Sequence, residues 1–381
     1  MTAGRGLRIM HVCAPARSGG LETVVHLLAT GSRQRGHEAE VALVLSPRDV
    51  TAHPVVARLR EAGVPVHVVD VGDRAYLTER RMLRALMREQ GTQILHTHGF
   101  RADVVDGGLA SGAGAVHVTT LHGFTARSWR GRAYEWLQVR AAQRADAAVA
   151  VSTPIARRLM GGSGPRSVAT VRNAVAPADA PLEASEARRT LGLPSHGFTV
   201  GWIGRLSFEK GPDLLLEALA MEAQRRTTSD PVLHVAMLGD GPLRQAMEEA
   251  AMALPPTVRV VFPGLVEQAS RYLAAFDGLA LSSRTEGTPM VILEAMLAGL
   301  PIVATAVGGV PDVLDDRCAL LAEPTPHAIA AQLRQLEADE AARMQRAATA
   351  RAHVEQHFGY DAWLAAYEQV YAGALGRAHN R

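Results

Sequence analysis

Short apolar runs that fail to alternate with polar residues constrain the fold of this chain more than any other feature. They occur near 7–13, 41–45, 66–69, 93–97, 116–121, 147–151 and 168–171, and again near 198–203, 232–238, 258–262, 278–282 and 302–305. A strand with one wet face reads apolar and polar in turn, whereas an unbroken β-branched run is covered on both faces, the habit of parallel sheets. Parallel neighbours need a long crossover, and the amphipathic stretches between most of these runs supply it. The chain therefore reads as α/β, with two doubly wound sheets. Ala174-Val175-Ala176-Pro177-Ala178-Asp179-Ala180-Pro181 has the composition of a linker. The domains are accordingly expected at 1–176 and 177–360, with a short helix at about 183–191 near the start of the second. An Ala- and Arg-rich helical pattern runs from about 325 to 357. A terminal helix then carries Trp363, Leu364, Tyr367 and Val370 on one face, which should dock on one of the two domains.

With 381 residues and 48% hydrophobic content the chain can fill a core in each of two domains. Only 4% of residues are aromatic and the basic residues are not interleaved with them, so a nucleic-acid partner is not expected. Cys13 and Cys318 stand in apolar contexts without metal-type spacing and read as buried thiols. No apolar run reaches the roughly 18 residues of a spanning helix, and Met1 to Gly6 lack the apolar stretch of a signal peptide. The expected location is cytoplasmic. The net charge of +2 hides an asymmetry: residues 1–180 carry 23 Arg and 14 acids, or +9, and residues 181–381 carry 17 basic residues and 24 acids, or −7.

The richest local pattern is Ser282-Ser283-Arg284-Thr285-Glu286-Gly287-Thr288-Pro289-Met290-Val291-Ile292-Leu293-Glu294. Thr288 suits an N-cap, Pro289 the first helical position, Gly299 the residue after the last turn, and Pro301 stops continuation, so a helix is expected from about 289 to 298. Its first turn offers unpaired backbone N–H groups near Met290 and Val291, with the positive end of the helix dipole, to whatever lies before Glu286. An anion belongs there. Glu294 is a carboxylate on an otherwise apolar helix, whose bland reading is a solvated side chain.

Lys210 is the single lysine among 40 basic residues. It closes Gly204-Arg205-Leu206-Ser207-Phe208-Glu209-Lys210-Gly211, where a strand ends in glycine and two cations follow five positions apart. A lysine is a compact point charge suited to bridging phosphate oxygens, and Arg205 with Lys210 could clamp a diphosphate. A similar strand-to-glycine corner follows at Gly239-Asp240-Gly241-Pro242.

Taken in order with Gly19-Gly20-Leu21-Glu22, His96-Thr97-His98, Leu121-His122-Gly123, Asn173 and Thr305-Ala306-Val307-Gly308-Gly309, these motifs resemble the retaining glycosyltransferases of the GT-B fold, in particular family 4, over nearly the whole chain. The resemblance implies two Rossmann-like domains facing each other across a cleft, with the terminal helix (about 361–376) crossing back onto the N-terminal, acceptor-side domain. It implies that Arg205 and Lys210 hold the diphosphate of a nucleotide-sugar, beside Gly204, and that Glu294 binds the ribose. Glu286, with the backbone of Gly287, Thr288, Pro289, Met290 and Val291, would hold the donor sugar, and Leu265 and Val266 would bracket the base. Gly20 would let backbone approach the distal phosphate; Gly19, His98 and His122 would lie toward the acceptor, with His122 near the sugar and the departing phosphate. Asp312 departs from the pattern, being shorter than the expected glutamate.

The implied activity is transfer, with retention, from a nucleotide-diphosphate donor (a UDP-sugar favoured) to a hydroxyl acceptor. Two cations and a helix start would neutralise the leaving group, so no metal and no cofactor are expected. Catalytic weight would rest on His122, Glu286, Arg205 and Lys210, with Glu286 electrostatic rather than nucleophilic. Two alternatives are a GT-B-shaped sugar-nucleotide epimerase and a non-catalytic nucleotide-sugar-binding protein. His96 and His98 share a strand face and could ligate a metal, but lack an acidic or thiol partner at useful spacing, which favours structural or acceptor-side roles. Arg80, Arg81, Arg84 and Arg88, with Arg127, Arg130, Arg132, Arg140 and Arg144, are either solvated faces or a peripheral contact with an anionic membrane.

Overall fold

The computed structural model describes residues 6–16, 19–47, 53–72, 74–124, 128–161, 167–175 and 180–379. Ser18, Arg127 and the expected boundary at 176/177 lie outside them. The chain divides into two compact units, residues 1–173 with 361–381, and residues 174–360.

In the first unit the chain runs β1 (Arg8–Cys13), α1 (Gly20–Gln34), β2 (Glu38–Leu45), α2 (Pro54–Glu61), β3 (Val66–Asp70), α3 (Tyr76–Glu89), β4 (Ile94–His98), α4 (Leu109–Ala113), β5 (Val116–Leu121), α5 (Trp129–Ala142), β6 (Ala147–Ala150), α6 (Thr153–Met160) and β7 (Val168–Thr170). Its sheet is ordered β3-β2-β1-β4-β5-β6-β7, and every pairing is parallel. The second unit runs α7 (Ala184–Thr190), β8 (Thr199–Ile203), α8 (Pro212–Arg225), β9 (Leu233–Leu238), α9 (Arg244–Met252), β10 (Val258–Gly264), β11 (Gly278–Leu281), α10 (Met290–Ala298), β12 (Ile302–Thr305), β13 (Leu320–Ala322), α11 (Pro326–Ala338) and α12 (Glu340–His357). Its parallel sheet is ordered β10-β9-β8-β11-β12-β13. The last helix, α13 (Tyr360–His379), lies almost wholly within the first unit.

The unbroken apolar runs have their cause in the packing. Met10, Val12, Ala42, Val44 and Leu95 fill one face of the first sheet against Leu83 and Met87 of α3, while Cys13, Val41, Leu43 and Leu45 fill the other against Val25, Ala29 and Leu59. A polar residue at any of these positions would be buried whichever way it pointed. Cys13 and Cys318 are both free and buried.

Several expected boundaries shift for local reasons. Pro289 has ψ 117°, an extended rather than helical value, so it is the N-cap and α10 begins at Met290, not at Pro289 behind a Thr288 cap. Gly299 ends the helix at φ 67°, where a Cβ would be strained. The helical pattern from 325 to 357 is two helices, broken at Asp339, whose side chain accepts from the Ala342 N–H at 2.9 Å and caps α12. Residues 102–106 form a π-type turn that no periodicity indicated.

Within the first unit, α13 is tied to the sheet by polar contacts as well as by Trp363, Leu364, Tyr367 and Tyr371, all buried. The Tyr371 hydroxyl is 2.9 Å from His96 Nδ1, and Glu368 meets Arg35 and His37 at 3.1 and 3.2 Å.

Candidate functional site

In doubly wound sheets the loops that leave the carboxyl ends of two adjacent strands part to opposite faces at the switch point, and the crevice between them is where ligands bind. In the second unit that point lies between β8 and β11, and the two richest sequence motifs leave from those strands. Gly204, half-buried, follows β8, and its N–H donates to the Leu238 carbonyl at 3.0 Å. Arg205 is exposed. A short turn, Phe208–Lys210, brings Lys210 back toward the β11 loop, ending at Gly211 with φ 61°. A Cβ on Gly211 would lie 2.0 Å from the Ser282 carbonyl oxygen, so close approach of the two loops requires glycine.

Lys210 Nζ donates to Glu286 Oε1 and Oε2 at 2.7 and 2.9 Å, and Ser283 Oγ donates to Oε1 at 2.6 Å. The Glu286 side chain is 5% exposed and that of Lys210 32%, so the carboxylate is held inside while the ammonium stands at the rim. The backbone under Glu286 is clasped from the next strand: Gly309 N–H donates to its carbonyl at 3.1 Å, and a Cβ on Gly308 would come 2.1 Å from that oxygen. The paired glycines after β12 are therefore a support for Glu286.

Arg284 holds the two loops in register. Its guanidinium makes a bidentate pair with Asp213 at 2.7 and 2.6 Å, donates to the Phe208 carbonyl at 2.9 Å, and stacks over the Phe208 ring at 3.9 Å. That pairing pulls the Asp213 carboxyl below its ordinary range against the opposing effect of burial. Ser283, Arg284 and Asp213 carried no expected role. Their signal is three-dimensional, since Arg284 and Asp213 are 71 positions apart.

The other expected donor residues fall around this edge. Thr288 and Gly287 are buried between Glu286 and α10; Met290 is buried and Val291 half-buried in its first turn. Glu294 is half-buried on the same helix, while Met290, Ile292, Leu293, Ala295 and Met296 fill its buried face. Leu265, exposed, and Val266, half-buried, follow β10 at the edge of the sheet, two strands from the switch point.

The first unit has its own switch point, between β1 and β4. Gly19 precedes α1 and Gly20 begins it, and Glu22 Oε1 accepts from the Ala16 N–H at 2.7 Å, closing the loop between β1 and α1. His98 ends β4 and His122 follows β5. His98 Nδ1 is 3.2 Å from His122 Nε2, and His98 Nε2 is 3.1 Å from Nδ1 of His11 on β1. His11, His96 and His98 are buried, and one ring nitrogen of each lies within 4.8 Å of the others. The strand register causes this, pairing His11 with His96. His11 is the third partner that the spacing of His96 and His98 could not reveal. As a metal site the trio is poorly furnished: both His96 nitrogens already face hydroxyls, Tyr371 at 2.9 Å and Thr120 at 2.8 Å, and both His98 nitrogens face other histidines. A neutral imidazole has one lone pair to give.

Against this geometry, the sequence profile described as Glycosyl transferases group 1 matches residues 183–353, and that described as Glycosyltransferase Family 4 matches residues 18–179. The chain belongs to glycosyltransferase family 4. Among curated family relatives, D-inositol 3-phosphate glycosyltransferase of Salinispora arenicola is 31% identical over 198 residues, 50% of this chain and 44% of that protein. The 2-deoxystreptamine N-acetyl-D-glucosaminyltransferase of Streptomyces fradiae is 36% identical over 153 residues, 39% of this chain and 34% of that protein. The matched region thus spans less than half the length of these relatives. Among solved structures, Anabaena HepE in complex with UDP-glucose superposes with a TM-score of 0.82 at 22% identity, over 96% of this chain and 99% of that one. Sucrose-phosphate synthase from Thermosynechococcus elongatus gives 0.78 at 19%, over 97% and 100%. These likenesses show the fold, GT-B.

Proposed function

We propose that the chain is a retaining glycosyltransferase that moves a sugar from a nucleotide-diphosphate donor, a UDP-sugar before others, to a hydroxyl acceptor, without requiring a metal. The observation that carries this is the Lys210–Glu286 pair at the β8/β11 switch point. The Lys210 ammonium donates to Glu286 and remains partly exposed, so its charge can serve an incoming diphosphate as well. Arg205 on the same loop and the start of α10 add positive potential where the leaving group gains charge. Glu294 would take the ribose, and Leu265 with Val266 the base.

Glu286 is a poor nucleophile in this setting, because its oxygens are already engaged by an ammonium and a hydroxyl. That favours a front-face route. The acceptor oxygen bonds to the anomeric carbon on the face from which the phosphate departs, the C–O bond pair leaves with the nucleoside diphosphate, and a phosphate oxygen takes the acceptor proton. A UDP donor draws support from HepE, whose structures contain UDP and UDP-glucose. The names of the relatives suggest the acceptors to try first, D-inositol 3-phosphate and 2-deoxystreptamine.

The test is product analysis with UDP-glucose and UDP-N-acetylglucosamine, with and without these acceptors, in the presence of a chelator. Transfer reads as UDP released only with acceptor and a glycoside with the donor's anomeric configuration. A changed sugar nucleotide formed without acceptor would mean the epimerase, and no product with any acceptor the binding protein.

A peripheral contact with an anionic bilayer belongs to the same proposal. Trp129 and Trp136 of α5 are 69% and 56% exposed, with Tyr134 and Leu137 also exposed, and Arg130, Arg132 and Arg140 share the helix. Aromatic side chains flanked by arginines suit the headgroup layer. Arg81, Arg84 and Arg88 are exposed on α3, whereas Arg80 turns inward to donate to the Val105 carbonyl. Among the described residues no helix is long and apolar enough to cross a membrane. Salt-sensitive sedimentation with phosphatidylglycerol vesicles, reduced in Trp129→Ala/Trp136→Ala, is the expected result; no binding at low salt would remove the contact.

A further inference from the structure

We propose that His11 and His98 are positioning residues that hold His122 as its Nδ1–H tautomer, so that the ring presents a hydrogen-bond donor at its open nitrogen. The three rings form one chain, with His11 Nδ1 3.1 Å from His98 Nε2 and His98 Nδ1 3.2 Å from His122 Nε2. Their centroids lie 5.3 and 5.4 Å apart in sequence along it. The fold builds the chain from three adjacent parallel strands: β4 pairs with β1, setting Cys13 opposite His98, and with β5, setting Thr120 opposite His98 two residues before His122.

Burial keeps all three rings neutral near pH 7, pushing His11 down to about 3, His122 to about 4 and His98 well below its ordinary value. Each ring then carries one N–H and one lone pair, so every N···N contact needs a proton from one side. Two such contacts in series can be satisfied in only two ways, with all protons directed toward His122 or all toward His11. The ends decide between them. His11 Nε2 is buried, with no hydrogen-bonding partner among the described residues. As an N–H it would be an orphaned buried donor, the rarer and costlier state; as a lone pair it is merely under-used. The protons therefore run from His11 Nδ1–H to His98 Nε2 and from His98 Nδ1–H to His122 Nε2, and the remaining proton of His122 sits on Nδ1. Among the described residues no hydrogen bond occupies that nitrogen, and the residue is half-buried, so this end is the one that can meet a ligand. His96, its ring centroid 4.1 Å from that of His98 and tilted to it, stays outside the chain because its nitrogens face Tyr371 and Thr120.

A neutral ring with a fixed N–H donates to an anionic or hydroxyl oxygen without having to acquire a proton. In the proposed transfer, on which this role rests, that oxygen belongs to a bound substrate. Losing such a preorganised donor lowers kcat by roughly 100-fold while leaving donor binding nearly unchanged.

The test is long-range 1H–15N correlation of the imidazole nitrogens in the 15N-labelled full chain near pH 7, with kinetics beside it. The inference predicts an Nδ1–H tautomer for His11, His98 and His122. In His98→Ala the His122 signals should move toward the Nε2–H tautomer and kcat fall roughly 100-fold with donor KM little changed. In His98→Asn, whose amide can still donate to His122 Nε2, tautomer and kcat should both return toward wild type. An Nε2–H tautomer of His122 in the wild type, or a His122 tautomer unmoved in His98→Ala, would overturn it. The spectra need no substrate, so they decide the relay even if the transferase reading fails, whereas an inactive wild type with the predicted spectra would indict only that reading.

Discussion

Lys210 Nζ lies within 2.9 Å of both carboxylate oxygens of Glu286, a contact across 76 residues of chain that joins the loop after β8 to the loop after β11. The pair is asymmetric, with the acid buried and the base at the rim. Removing Lys210 strands a buried carboxylate with, among the described residues, Ser283 alone to satisfy it, whereas removing Glu286 returns an ammonium to water. Lys210→Ala should therefore destabilise the chain more than Glu286→Gln, by about 1–3 kcal/mol. Lys210→Met with Glu286→Gln should recover most of that loss in urea melts without restoring transfer. Equal stability of Lys210→Ala and wild type would show that the pair contributes nothing to the fold.

Gly308 gives a second, purely steric test. At φ 55° and with Glu286 carbonyl oxygen 2.1 Å from where a Cβ would stand, Gly308→Ala must displace the Glu286 backbone. A loss of about 2 kcal/mol or more in chemical denaturation, with impaired donor binding, is expected.

Much of this was legible in the sequence. Unbroken apolar runs betray two-sided burial, so twelve strands and the doubly wound class could be read, and Glu286 and Lys210 stood out as polar exceptions beside strand ends. What escaped was short or distant. Leu320–Ala322 makes a strand too brief to show a period. The Asp339 cap looks like one more polar residue in a helical stretch, and Pro289 fits an N-cap or a first helical position equally well until its ψ is known. His11 is 87 residues from His98, and only strand order brings them together.

Stability should fall on acidification. The neutral, buried His11, His117 and His122, with pKa values pushed down to about 3, 4 and 4, and His96 and His98, also lowered, are protonated in the unfolded chain below about 6.5. Their contribution is complete above that pH and is lost as pH falls toward 4, each adding a slope of about 1.4 kcal/mol per unit. Melting temperatures from pH 7.5 to 4.5 check this; a flat profile between 6.5 and 5 would contradict it.

Asp106 should oppose them, its contribution falling as pH rises from about 4 to 8. Burial first, and the Glu79 carboxylate next, push its pKa up to about 8, so it is protonated in the fold near neutrality. A raised carboxyl stabilises below its unfolded value and loses that contribution as pH rises through the folded one. Asp106→Asn should leave stability near pH 4 almost unchanged and flatten the decline that Asp106 imposes between about pH 4 and 8, as thermal melts would show.

Tyr371 anchors α13 through His96. Tyr371→Phe removes the hydroxyl and leaves His96 Nδ1 buried without its partner, at a cost of about 1–2 kcal/mol in thermal or urea denaturation. No measurable change would mean that apolar packing alone holds this helix.

The central claim, a diphosphate site built on Lys210 at the β8/β11 switch point, is tested most directly by the thermal shift of the full chain with UDP, GDP, ADP and dTDP, beside Lys210→Ala. A ligand at about 100 times its dissociation constant adds roughly 2.7 kcal/mol of stability. The account predicts that one diphosphate, UDP first, raises the melting temperature of the wild type and not of the variant. A shift of equal size in both would place the diphosphate elsewhere, and no shift with any of the four would contradict a nucleotide-sugar site on this chain.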